Sequence, residues 1–173
     1  MDQAYTLHDF FKSSKLSPTE LIQVIDSYKR FSLKKHDHSL KEGTISNEVL
    51  IIETGIFRAF VHDTDGNEIT TGFYSQSQIV IEVASFFLRV PTKENIQALT
   101  DCSGWRIDFN TFQHLFHSIE AFREFARSRL VQNLINSKQR TLSMITDKAL
   151  DRYIQLEQQQ PEVIQGAALK HIA

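Results

Sequence analysis

His36, His38 and Glu42 are the residues of this 173-residue chain whose types and spacing first suggest chemistry. Two imidazoles two positions apart share one face of an extended strand, and imidazole with carboxylate is a donor set for iron, manganese or nickel. No second motif with a later histidine accompanies them, and Lys34 and Lys35 stand alongside. The local sequence therefore favours two exposed histidines on a basic turn, and no metal site is expected. Cys102 is the single cysteine and lies between Asp101 and Ser103, without a basic neighbour to depress its pKa. It reads as a packed strand-end thiol, not a nucleophile. No serine stands in a Gly-x-Ser-x-Gly turn, and neither a Gly-rich phosphate loop nor a pair of metal-binding carboxylates is present. The sequence predicts no enzyme and no catalytic residue.

The composition narrows the classes further. With 41% hydrophobic residues, 23% charged and 13 Phe, the chain must pack an interior, and its length suits one domain with at most a small appendage. A net charge of -2 argues against a protein wrapped wholesale in nucleic acid, while leaving room for a local basic patch. Arg123, Arg127, Arg129, Lys138 and Arg140 against Glu124 form such a patch. It is read as the solvated edges of a helix, not as a phosphate-binding face. One thiol excludes an intrachain disulfide, a four-thiolate zinc site and a chain-held iron–sulfur cluster. The opening MDQAYTLHDFFKSS lacks the blocks of a secretory signal. No apolar run approaches the ~18 residues of a membrane span, so a soluble, cytoplasmic protein without a membrane partner is expected.

The elements that must position these residues change character along the chain. Ser17-Pro18-Thr19-Glu20 is a capping box with proline at the first helical position, and Leu21, Ile22, Ile25, Tyr28 and Phe31 follow at helical spacing. One helix over about 18–31 is predicted, with Lys29, Lys34 and Lys35 near its C-terminus. From His38 to Asp108 the period is that of strands, as in Val49–Ile52 and Ile56–Val61. Asp63-Thr64-Asp65-Gly66-Asn67 marks a hairpin in which both Asp65 and Gly66 accept positive φ. Many short strands predict a barrel or sandwich. Glu120 to Ile145 holds neither Gly nor Pro and predicts one long helix, with a stripe of Phe122, Ala126, Leu130, Leu134, Thr141 and Ile145. Phe125, Val131, Ile135 and Leu142 broaden it enough to pack on the barrel and face a partner. Phe109, Phe112, Phe116, Phe122 and Phe125 are expected to be core where barrel meets helix. A further helix is expected over Asp147 to Gln159. The final Ala167–Ala173 reads as an exposed apolar helix opening without a cap, from which the chain is expected to stop inside a second folding unit.

This order, over about residues 15–173, resembles the Crp/Fnr family of bacterial transcription regulators. The residues that carry the resemblance are Leu40-Lys41-Glu42-Gly43, Gly55-Ile56-Phe57-Arg58, Asp63–Glu68, Gln97-Ala98-Leu99, Arg152-Tyr153 and Leu169–Ala173. The resemblance implies a mostly β fold of mixed α+β class. Its core would be a cyclic-nucleotide-binding-type double-stranded β-helix, or jelly roll, with an N-terminal helix. The implied domains are a sensor over 1–120, a dimerisation helix over 121–146 and the start of a truncated winged helix-turn-helix over 147–173.

The family's nucleotide readers hold their ligand at a Gly-Glu turn followed by a later Arg-Ser pair. There the carboxylate takes the ribose hydroxyl and the guanidinium forks onto the cyclic phosphate. The matching stretch here keeps Glu82 but has Ile81 for the glycine and Thr92-Lys93 for Arg-Ser. The resemblance implies an effector pocket of Glu82, Thr92 and Lys93, with Arg89 as an alternative cation and Ser137 and Lys138 closing it from the long helix. It is not expected to bind cyclic AMP in the usual way, and no cofactor is assigned. The implied protein is an allosteric homodimer that answers an unknown small-molecule effector, reads a DNA operator through its missing C-terminal part and contacts RNA polymerase. The alternatives are a stand-alone ligand-binding signalling module and a cupin-type metalloenzyme using His36, His38 and Glu42.

Overall fold

The β-rich stretch forms eight strands, β1 (Lys29–Leu33), β2 (His38–Leu40), β3 (Glu48–Thr54), β4 (Phe57–His62), β5 (Glu68–Tyr74), β6 (Ile79–Val80), β7 (Asn95–Ala98) and β8 (Cys102–Asp108). The computed structural model describes residues 6–172. The strands pair antiparallel into two four-stranded sheets, ordered β1-β8-β3-β6 and β2-β7-β4-β5. Phe31, Leu50 and Ile52 of the first sheet meet Leu40, Phe57 and Ile96 of the second, and the two close into a jelly roll. Gly104 sits at the centre of the first sheet, where a Cβ would collide with the Ile51 carbonyl oxygen. In the β4–β5 hairpin the Asp63 carboxylate accepts from the backbone of Asp65 and Asn67 at 2.9 and 2.8 Å. Of the Asp-Gly pair only Gly66 takes positive φ, at 84°, which corrects the expectation for Asp65.

Helix α1 (Leu7–Phe11) precedes α2 (Pro18–Asp26). The capping box is formed: the Ser17 hydroxyl accepts from Glu20 N at 3.3 Å and the Glu20 carboxylate from Ser17 N at 2.8 Å. The helix expected to reach residue 31 ends at Asp26, and Lys29 already belongs to β1. Burial decides this. Phe31 pairs with Gly104 on β8 and packs near Phe57 inside the roll, which helix could not achieve. Lys34 and Lys35 therefore flank no helix end; the Lys34 ammonium binds the Asp101 carboxylate at 2.8 Å.

Helices α3 (Val83–Leu88), α4 (Phe109–Ser118), α5 (Glu120–Thr146), α6 (Ala149–Gln159), α7 (Pro161–Gly166) and α8 (Leu169–Ile172) complete the chain. The phenylalanines expected at the junction are there: Phe112, Phe122 and Phe125 are buried, with Phe109 and Phe116 packed against them. The stripe on α5 divides. Phe122 and Ala126 are buried and Leu130 is half-buried, whereas Leu134, Thr141 and Ile145 are exposed. Helix α6 starts at Ala149, not Asp147, because Asp147 is held as an acceptor by the Ser143 hydroxyl at 2.7 Å and the Gln155 amide at 3.1 Å.

The end of the chain is not the bare helix opening expected from Ala167–Ala173. Val163 is buried with Ile56, Phe73 and Leu99 of the barrel, and Ile172 and Ala167 pack on that cluster. Leu169 alone of this run's large apolar residues stays exposed, and Ala173 lies outside the described residues. Among the described residues no helix is long and apolar enough to cross a membrane.

Candidate effector site

The chain leaving β6 turns directly into α3, and Glu82 is the residue at the turn. Its carboxylate caps the helix, accepting from Ser85 N at 2.6 Å and Ala84 N at 3.3 Å. The expected glycine at 81 is not needed, because no positive φ occurs there; Ile81 is an ordinary buried core residue. Ser85 is fully buried and stitches the turn, donating its hydroxyl to the Val90 carbonyl at 2.6 Å and accepting from Ser46 N at 2.8 Å.

After α3 the chain returns through Thr92, Lys93 and Glu94 into β7. Thr92 is buried and stapled by backbone bonds, donating to the Thr44 carbonyl at 2.9 Å and accepting from Gly43 N at 2.8 Å. A cavity of about 300 Å³ lies between turn and return, lined by Glu82, Ser85, Val90, Thr92, Lys93 and Glu94. A second, of about 350 Å³, shares Glu82 and reaches into the roll over Leu40, Leu50 and Ile96, with His38 and Lys41 among its lining residues.

Glu94 is the member that sequence reasoning missed. Burial pushes its carboxyl above the ordinary range, the Thr71 hydroxyl bonded to it opposes that, and the nearby Glu82 carboxylate adds to it. Tyr74 stands close by, its phenol pushed up to about 12 first by burial and then by Glu94. The only available signal was position: Glu94 is a carboxylate one residue before a buried strand that opens with Asn95-Ile96.

The other expected site residues lie elsewhere. Arg89 closes α3 in the left-handed conformation at φ 57°. Its guanidinium donates to the Ser46 carbonyl at 2.9 Å and lies 4.0 Å over the Phe109 ring. It is consumed by structure and lines neither cavity. Ser137 and Lys138 are exposed on α5 and also line neither. The site thus brings together Glu82, Thr92 and Lys93 and adds Glu94. A cyclic phosphate entering it would meet two carboxyl groups with one lysine and no guanidinium, so binding in the usual forked manner is unfavourable.

The metal alternative is also corrected. His36 is not on a strand with His38; it sits in the preceding turn at φ 76°, while Glu42 faces His62 at 3.3 Å. Among the described residues no group of three possible ligands gathers. Cys102 is buried, its thiol directed at the Ile56 carbonyl at 3.5 Å and pushed up in pKa by burial.

The family model for the cyclic nucleotide-binding domain matches residues 30–118, which span the whole roll and the turn at Glu82. The chain belongs to the cyclic nucleotide-binding domain family. Solved structures show the same fold at low identity. A crp/fnr-family transcriptional regulator from Eubacterium rectale aligns with TM-score 0.70 and 12% identity, over 87% of this chain and 70% of that one. The c-di-GMP-responsive global regulator CLP of Xanthomonas campestris gives 0.66 and 14%, over 84% and 74%. The catabolite activator protein of Thermus thermophilus gives 0.64 and 14%, over 87% and 71%. No curated protein matches the sequence.

Proposed function

We propose that the chain is the sensor part of a bacterial, cytoplasmic transcription regulator of the Crp/Fnr type, acting as a homodimer. In this reading residues 1–120 sense, 121–146 dimerise and 147–173 lead into a DNA-binding unit. The observation that supports it is the second half of α5. Val131, Leu134, Ile135, Leu142 and Ile145 are exposed on a helix whose first half is locked into the barrel. Apolar surface of this extent is normally covered, and a second copy of the helix covers it symmetrically. An effector at the Glu82–Glu94 cavity would bias how barrel and α5 meet, and through α5 the spacing of two operator-reading units and their contact with RNA polymerase.

Sedimentation equilibrium of the chain tests the dimer: a dimer that Leu134→Glu abolishes is expected, and a wild-type monomer at 100 micromolar, about the weak limit for such contacts, would sink the reading. In a gel shift this chain is expected to bind operator DNA negligibly. In calorimetry with cyclic AMP no heat is expected; tight binding lost on Glu82→Ala would overturn the departure argued from Thr92.

A further inference from the structure

Arg58 is the largest fully buried side chain, at 1% exposure, and it lies on the face of β4 opposite the roll's interior, with Phe60. Its guanidinium binds the Glu68 carboxylate at 2.6 Å, donates from Nε to the Thr70 hydroxyl at 2.9 Å and lies 4.5 Å over the Phe60 ring. Thr70 passes the bond on. Having accepted from Arg58, its hydroxyl donates its one proton to the His171 carbonyl at 2.8 Å. A charge-assisted chain therefore runs from a buried cation through β5 into α8.

Packing supports the same docking. Val163 is fully buried, and Gly166 approaches Ile56 so closely that a Cβ would lie 2.5 Å from the Ile56 Cδ1. Gln160 reaches Gln78 at 3.3 Å. His171, whose carbonyl is two hydrogen bonds from the Arg58 guanidinium, lies within electrostatic reach of Arg58 on β4, Glu68 on β5, His36 in the turn before β2 and Lys170 on its own helix. Glu68 is the one carboxylate among them, and it is already bound to Arg58. Two more imidazoles lie near Phe60, with ring centres at 6.4 Å for His38 and 5.6 Å for His62.

We propose that α7 and α8 form a proton-operated latch on the outer face of β4–β5, closed while His171 is neutral and released when His171 becomes cationic. Burial lowers the His171 pKa from its usual 6.5, Arg58 and Lys170 lower it further, and Glu68 opposes them. The docked state thus binds a proton less readily than the released one. Docking is fully stabilised above the released histidine's pKa and is lost as pH falls through the lower docked value. Burial moves His38 the same way. The latch rests on its own contacts and not on the effector reading, so it stands or falls independently of any ligand at Glu82.

Methyl NMR of the chain tests it, reading Val163 and Ile172 as pH is lowered from about 8 to about 5.5, the range in which histidine titrates. In the wild type the ratio of docked to released signal is expected to fall at least about threefold, with Trp105 fluorescence unchanged as a check that the barrel remains folded. His171→Gln and His171→Phe should both remove this dependence, and Thr70→Val should release the segment at every pH. Wild-type methyl signals unmoved by acid, or an acid release that persists in both His171 variants, would overturn the latch.

Discussion

The two halves of α5 share one unbroken helix and live in opposite environments. Its first turns carry Phe122, Phe125 and Ala126, buried among Phe10, Phe11 and Phe112. Its later turns carry Leu134, Leu142 and Ile145 at 69%, 51% and 77% exposure. Apolar residues recur in both, so apolarity alone does not separate core from contact surface. What separates them is whether the same chain supplies a neighbour. α4 and α1 cover the first half, whereas Leu134, Leu142 and Ile145 of the second half stay exposed among the described residues.

Substitutions can break this contrast, beginning with the largest effect. Phe122→Ala should destabilise the fold by about 3–5 kcal/mol, read as a lowered urea midpoint, because a fully buried ring leaves a cavity that its aromatic neighbours cannot fill. Leu134→Glu should leave that midpoint of the monomer within about 0.5 kcal/mol while weakening self-association at least about tenfold in sedimentation. Equal loss of stability from the two would erase the distinction.

Arg140 lies in the second half, between Leu134 and Leu142, and sharpens the comparison because it is not bare. Burial lowers its pKa, Tyr74 opposes this and Arg152 adds to it, and its Nε is buried without a partner among the described residues. Arg140→Met should therefore raise the thermal midpoint, equivalent to about 1 kcal/mol, by removing a cation whose desolvation is poorly offset. The smallest expected effect is at Glu94, in the cavity beside Glu82. Glu94 has a raised pKa, so its neutral form is favoured by folding, and that stabilisation is present below the unfolded carboxyl's pKa and lost as pH rises through the folded value. Glu94→Gln should add a few tenths of a kcal/mol at pH 7 and nothing at pH 4, so thermal melts of the two proteins should converge in acid.

Legibility in the sequence followed range of interaction. The Ser17–Glu20 box, the Asp63–Asn67 hairpin and the span of α5 were readable because each is settled by residues within a few positions. β1 was not, since Phe31 continues a helical pattern and becomes a strand only through pairing with Gly104 far along the chain. Glu82 was readable as the turn carboxylate, and Thr92 and Lys93 as its partners across α3. Arg89 was misplaced because its left-handed turn and its seat over Phe109 depend on how α4 packs. Glu94 was invisible for the same reason: its burial comes from β5. The docking of α8 likewise depends on Arg58 and Thr70, about a hundred positions earlier.

The order of strands has a bearing on how the protein is made. β8 lies between β1 and β3, pairing Lys29 with Arg106 on one side and Glu48 with Asp108 on the other. During synthesis, β1 has no strand partner and β3 lacks its longer one until residue 108 has left the ribosome. Until then Val49–Ile52 can pair only with the two residues of β6, which leaves one edge of a β-prone apolar run open to its neighbours on the polysome. Closure then takes one late, long-range event instead of stepwise growth, so refolding should be slow for the chain's size. Translation speed and chaperone access, more than final stability, would set how much of this protein a cell recovers folded.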